Sequence, residues 1–115
     1  MPLLTATQQA QLLAQGAQRA RDPDFDPLPV VKLYTPDARA VWLLAAAYPD
    51  DPRRVYGLCD AGTGFPQLMD VRLDDLQTLR GPNDYPLAVD PHFAAHGPLS
   101  AYAARAIAQG AYTED

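Results

Sequence analysis

Residues 41–59 read VWLLAAAYPDDPRRVYGLC, and this stretch decides the fold class. Its two ends, 41–45 and 54–59, are rich in the branched, aromatic and aliphatic residues that favour strands. Between them, the prolines and aspartates of residues 48–52 are typical of a turn. Because this connection is too short to hold a crossover helix, the spacing predicts an antiparallel hairpin.

Neighbouring segments extend the hairpin into a meander. Residues 30–34 are rich in strand formers and lead into a turn at 35–38, while residues 67–73 alternate between non-polar and polar side chains. The β-rich middle is therefore predicted to span residues 30–73, and residues 87–89 to add a short edge strand. We expect a small antiparallel sheet of about four to five strands.

Three helices are predicted around this sheet. Thr5 and Gln8 have capping-box spacing, which indicates an N-terminal helix over about residues 5–20. A short helix is expected over 74–80. Non-polar residues at helical spacing predict a C-terminal helix over 98–109.

The domain organisation follows from length and from one linker. Residues 22–29 are acidic and proline-rich, so they are expected to run extended between the first helix and the sheet. A chain of 115 residues has the usual size of one domain. The sequence therefore predicts a single α+β domain over residues 1–115, with the N-terminal, short middle and C-terminal helices packed on the sheet.

The charge balance bears on partners and location. The formal net charge is -5, which disfavours non-specific binding to nucleic acid and fits either a basic protein partner or solubility alone. The chain has one cysteine, so no intramolecular disulfide is expected. The N-terminal residues do not resemble a secretory signal, and no non-polar run approaches a membrane span. We expect a cytoplasmic protein that binds no membrane.

Glycines recur in residues 57–66, which read GLCDAGTGFP. Two glycines separated by one residue allow backbone N–H groups to converge on a phosphate or carboxylate, and this makes Asp60, Gly62, Gly64 and Phe65 a candidate binding turn. A dinucleotide-binding loop would need a third glycine followed by a helix, and the chain continues with Phe-Pro instead. The alternative is an irregular hairpin turn with positive φ at both glycines.

Two histidines and a carboxylate form a weak candidate metal set. Asp90, His92 and His96 lie close together in sequence, and these residue types bind zinc. The surrounding prolines and glycine place them in a loop or strand, where the histidine spacing does not align the rings. Two solvated loop histidines are the preferred interpretation, and no metal or cofactor is expected.

A second candidate surface is aromatic and basic. Tyr34, Tyr48 and Tyr56 would stack unpaired bases if they were exposed on the sheet, with Arg53 and Arg54 beside them to meet the phosphates. The alternative is that the three tyrosines belong to the core. Exposure of the rings decides between these interpretations.

Six segments carry a family resemblance: Pro29–Ala38, Trp42–Leu44, Gly57–Leu68, Val71–Leu76, Arg80–Gly81 and Asp90–Phe93. Together they resemble a family of small acidic proteins of unknown function, encoded largely on bacterial plasmids, conjugative or integrative elements and phage-like islands. The resemblance covers about residues 3–102. It implies no reaction and no catalytic residue. It implies only a setting in which antirestriction and other counter-defence proteins are common. The chain departs from the family pattern at Gln67, where glutamate is frequent, and at His96.

Three functions follow as expectations. The first is a non-enzymatic protein-interaction factor of a mobile genetic element, either a counter-defence inhibitor of the antirestriction or anti-CRISPR type or an accessory of DNA transfer. The alternative is a module that binds single-stranded nucleic acid. The third is a small enzyme that uses the glycine-rich turn with Asp60 and with His92 or His96. The oligomeric state is left open.

Overall fold

A five-stranded antiparallel sheet forms the centre of the protein, for which a computed structural model describes residues 3–113. The strands are β1 (Val31–Tyr34), β2 (Val41–Tyr48), β3 (Asp51–Asp60), β4 (Gln67–Arg72) and β5 (Ala88–Val89). Their order across the sheet is β4-β3-β2-β1-β5. The helices are α1 (Ala6–Arg21), α2 (Leu73–Thr78) and α3 (Leu99–Gln109). The predicted α+β class and the sheet of four to five antiparallel strands are confirmed.

Strands β1 to β4 pair with their neighbours in sequence, as the short connections predict. Strand β5 then returns to pair with β1 at the other side of the sheet. The pairing of β2 with β3 shifts register between Leu44 and Ala46, so Ala45 is the extra residue of a bulge. One detail of the predicted alternation is wrong, because residue 73 begins α2 and does not continue the strand.

Both faces of the sheet are covered, which explains why the middle of β2 is non-polar without alternation. One face packs against α1 and α2, and its core contains Leu4, Leu12, Val31, Leu33, Trp42, Leu44, Ala47, Val55, Leu73, Leu76 and Leu87. The other face packs against α3, and its core contains Leu43, Ala45, Leu58, Leu99, Tyr102, Ala103 and Ala106.

Helix α1 begins with the predicted capping box. Gln8 donates its backbone N–H to Thr5 Oγ1 at 3.1 Å, and Thr5 donates its own to Gln8 Oε1 at 2.9 Å. The second half of α1 lies along the part of β2 that follows Leu44, beyond Val31, where β1 begins. There the Gln15 amide donates to the carbonyl oxygen of Ala45 at 2.7 Å, taking a place that a strand would otherwise fill.

Within residues 3–113, no helix combines the length and the non-polar character that a bilayer-crossing segment needs.

Candidate functional site

The outer edge of β4 has no strand partner within residues 3–113, because β4 is the last strand in the sheet order. Alternate residues of such an edge strand direct their backbone N–H and C=O groups outward, where another strand can pair with them. The opposite edge of the sheet is β5, which has only two residues, whereas β4 has six. Proteins protect sheet edges by keeping them short, and only the β5 edge is protected in this way.

A groove of about 360 Å³ lies beside β4, and we name it the edge groove. Its non-polar wall is formed by Trp42, Met69, Val71, Leu76 and Leu79. Met69 and Leu79 are 37% and 39% exposed, so α2 covers this side of β4 only in part. The unpaired backbone of β4 and a non-polar surface therefore lie side by side.

The charged side chains around the edge groove are mostly paired with one another. Arg54 Nε lies 3.7 Å from Asp70 Oδ2, and Arg72 Nη1 donates to Asp51 Oδ2 at 2.9 Å. The hydrogen bond from Arg72 lowers the pKa of Asp51 below its ordinary value. Asp75, in the first turn of α2, has no ion pair within residues 3–113. Among the residues that the structure describes, the rim of the groove therefore carries one carboxylate that makes no ion pair, although Arg72 lies close enough to act on it electrostatically.

Three residues of the predicted aromatic and basic surface lie together. Tyr48 Oη donates to Asp70 Oδ1 at 2.5 Å, and the Arg54 guanidinium carbon lies 4.0 Å from the centre of the Tyr48 ring. Arg19, which comes from α1, lies 3.8 Å from the centre of the Tyr56 ring. The tyrosines are half-buried and stacked with arginines, so these ring faces are not open platforms for unpaired bases.

The remaining two residues of that predicted surface lie elsewhere. Tyr34 pairs with Val41 on β2, and Val41 pairs with Asp60 on β3. Asp60 is four residues along β3 from Tyr56, so Tyr34 lies about 13 Å from Tyr56 along the strand direction. Arg53 donates to Asp74 Oδ1 at 2.7 Å and is held against α2. The five predicted residues therefore do not form one surface.

The glycine-rich turn is built around Asp60, which is 3% exposed. One carboxylate oxygen accepts from the backbone N–H of Gly62 at 2.8 Å, and the other accepts from that of Tyr112 at 2.7 Å. Gly62 and Gly64 have φ of 79° and 89°, so the positive φ predicted for a hairpin turn is confirmed. Phe65 is 81% exposed. Asp60 thus acts as a clamp between the turn and the segment after α3.

The candidate metal-binding residues Asp90, His92 and His96 lie in contact with other protein groups. Asp90 accepts from the backbone N–H of His92 at 2.9 Å and lies 3.6 Å from the ammonium group of Lys32. The backbone N–H of His96 donates to Tyr102 Oη at 2.9 Å, and both histidines are exposed. Across the part of the chain that the structure describes, no group of three or more His, Cys, Asp or Glu residues is placed to hold a metal ion.

Cys59 is a half-buried thiol on β3. Burial raises its pKa, and the neighbouring Asp60 carboxylate raises it further, while a hydrogen bond with Trp42 acts in the opposite direction. A raised pKa leaves little thiolate at neutral pH, which does not suit a nucleophile.

Comparison with protein-family models matches residues 3–113 to a family described as a protein of unknown function, DUF2958. The chain belongs to the DUF2958 family. No curated protein and no solved structure matches it. The matched residues include β4 and the whole edge groove of this DUF2958 chain, and the family description gives no activity.

Two features of this DUF2958 chain were not predicted from its sequence, namely the partly covered face of β4 and the packing of Arg19 against the tyrosines. Alternation in residues 67–73 places Met69 and Val71 on one face of a strand, but nothing in that pattern says that the face is only partly covered. Arg19 follows Gly16 by three residues and Gln15 by four, so all three lie on one side of α1. Gly16, a glycine within a helix, was the sequence signal that this side of α1 packs closely against another part of the chain.

Proposed function

We propose that this chain is a non-enzymatic interaction factor that binds an extended segment of a partner protein along the outer edge of β4. The observation that carries the proposal is the unpaired outer edge of β4, which lies beside the non-polar edge groove. In strand addition, hydrogen bonds between the two main chains supply affinity, and pockets that receive alternate side chains supply specificity. The edge groove supports this mode because it lies directly beside the strand.

The chemistry of the partner segment follows from the groove. Side chains at alternate positions of an added strand face the same side, so those next to Met69 and Val71 are expected to be non-polar. Asp75 at the rim favours a lysine or arginine close to them. The net charge of -5 acts in the same direction, since it attracts a basic partner over longer distances.

The other two functions have less support from the contacts. Single-stranded nucleic acid needs open ring faces and unpaired cations, whereas Tyr48 is stacked with Arg54, and Arg54 is paired with Asp70. An enzyme that used Asp60 would have to withdraw a carboxylate already engaged by two backbone N–H groups. Binding of a protein partner along β4 requires neither the release of Tyr48 and Arg54 from their contacts nor the withdrawal of Asp60.

The biological setting is also a proposal. The resemblance to a family encoded largely on plasmids and other mobile elements supports an interaction factor that acts in the bacterial cytoplasm, either as a counter-defence inhibitor or as an accessory of DNA transfer. Under this proposal the partner is a host defence protein or a protein that the element encodes.

Affinity capture with matched variants tests the proposal. Met69→Lys and Leu79→Lys place a charge in the edge groove, and Ile107→Lys places the same charge at an exposed position on α3. The tagged proteins are incubated with bacterial lysate, with and without nuclease, and the captured proteins are identified by mass spectrometry. We expect a stoichiometric protein that survives nuclease, is lost with both groove variants and is retained with Ile107→Lys.

Hydrogen exchange then locates the contact. A strand added to β4 protects backbone amides of residues 67–72 when the purified partner is present. A partner that binds the groove variants as well as the original protein would contradict the proposal. Capture that disappears with nuclease would favour nucleic-acid binding.

A further inference from the structure

A second cleft, separate from the edge groove, lies between the second half of α1 and the end of β2. Its volume is about 280 Å³. Most of its wall is small and non-polar, from Gly16, Ala20, Pro23, Ala46 and Pro49. Pockets for small ligands start at about this size and combine non-polar walls with a few polar groups. The polar groups here belong to Arg19 and Tyr48.

Arg19 is fixed in position by the aromatic rings beside it. Its guanidinium carbon lies 3.8 Å from the centre of the Tyr56 ring and 5.8 Å from that of Tyr48, and Nη1 donates to Tyr48 Oη at 3.4 Å. Stacking holds the guanidinium plane in one orientation. The group is therefore preorganised before any ligand arrives.

Arg19 differs from Arg54 in one respect. Both stack on tyrosine, but Arg54 lies 3.7 Å from the carboxylate of Asp70, whereas Arg19 has no carboxylate within ion-pair distance among residues 3–113. Arg19 is nevertheless half-buried. Its remaining N–H groups are reached by solvent, since none of its nitrogens is among the buried unpaired atoms.

We propose that this cleft binds a small oxyanion, a carboxylate or a phosphate, carried on a compact non-polar group. A guanidinium presents parallel N–H groups in its plane, which match the oxygens of either anion. Partial burial strengthens the pairing, because the local dielectric is lower than that of water and the cation has lost part of its hydration without gaining a counter-ion. The alanine and proline walls receive the non-polar part of the ligand.

Titrations of the full chain, followed by nitrogen-15 NMR, test this inference. The probes are benzoate, phenyl phosphate and inorganic phosphate, with benzyl alcohol and benzylammonium as uncharged and cationic analogues. We expect saturable shifts at the Arg19 side-chain N–H and at the amides of residues 46–48 with benzoate, phenyl phosphate or both. The two organic anions distinguish carboxylate from phosphate, and inorganic phosphate shows how much the non-polar walls contribute.

Two variants complete the test. Arg19→Lys keeps the charge but loses the planar donor pair, and we expect it to weaken binding about tenfold or more. Arg21→Lys, two residues along the same helix and exposed, is the matched control and should bind as the original protein does. No saturable shift with any anion would overturn the inference. Equal binding by both variants, or equal binding of benzylammonium, would also overturn it.

Discussion

The carboxylate of Asp26 accepts hydrogen bonds from both the backbone N–H and the side-chain hydroxyl of Ser100, 74 residues further along the chain. The backbone bond is 3.2 Å long. Ser100 lies in the first turn of α3, where Pro98 at the N-cap provides no side-chain hydrogen bond. Asp26 in the linker therefore caps a helix to which it does not belong.

Asp26→Ala is expected to lower the free energy of unfolding by about 1 kcal/mol, because it removes a helix cap. Asp26→Asn should retain most of the stability, since asparagine caps about as well as aspartate. Urea titration followed by circular dichroism measures both. Asp24→Ala is the control, because Asp24 lies in the same linker and its side chain makes no hydrogen bond or ion pair among residues 3–113. Equal destabilisation by Asp24→Ala and Asp26→Ala would rule out the capping role.

Gly16→Ala is expected to destabilise the protein by about 1–3 kcal/mol or more, because the added methyl group would overlap the carbonyl oxygen of Ala47. The backbones of α1 and β2 would have to move apart. Gly97→Ala is the matched control, since a methyl group there meets no atom within 4 Å. Thermal unfolding of the two variants provides the comparison, and similar melting temperatures would contradict the close approach of α1 to β2.

Asp60→Ala should lower the free energy of unfolding by about 1–3 kcal/mol, because it leaves the backbone N–H groups of Gly62 and Tyr112 without their acceptor. It should also speed hydrogen exchange at the Tyr112 amide. Asp50→Ala, in the exposed turn between β2 and β3, is the control. Unchanged exchange at Tyr112 would show that Asp60 is not a clamp and would return it to the candidate catalytic residues.

Alkylation of Cys59 by iodoacetamide is expected to be slow at neutral pH and to accelerate only above the ordinary thiol pKa of about 8.5, because burial raises the pKa of this thiol. Glutathione and the urea-unfolded protein are the references. A pKa that is higher in the folded state favours folding below the unfolded pKa, so stability should fall as the pH rises above about 8.5. Alkylation of the folded protein as fast as the unfolded protein would refute this.

Much of the fold could be predicted from the sequence because its signals are local. The capping box at Thr5 and Gln8 determines where α1 begins, and the prolines and aspartates of residues 48–52 define the central turn. Alternation in residues 67–73 also identified β4. Each of these depends on residues within a few positions of one another, where spacing alone is informative.

The sites could not be predicted in the same way because they depend on contacts between distant segments. Arg19 reaches Tyr56 only because α1 lies along the part of β2 beyond Val31, where β1 begins. Tyr48 and Tyr56 stack with arginines, whereas Tyr34 lies at the other end of the strands, level with Asp60. Their different positions follow from sheet register, which a single sequence does not specify.

The meander also has a consequence for the order of folding events. Strands β1 to β4 join neighbours in sequence, so their hairpins close small loops and should form the nucleus early. Docking of α1 onto β2, and of the linker onto α3, must close much longer loops and should follow the rate-limiting step. We therefore expect Gly16→Ala and Asp26→Ala to accelerate unfolding while leaving the refolding rate nearly unchanged, as stopped-flow kinetics can measure.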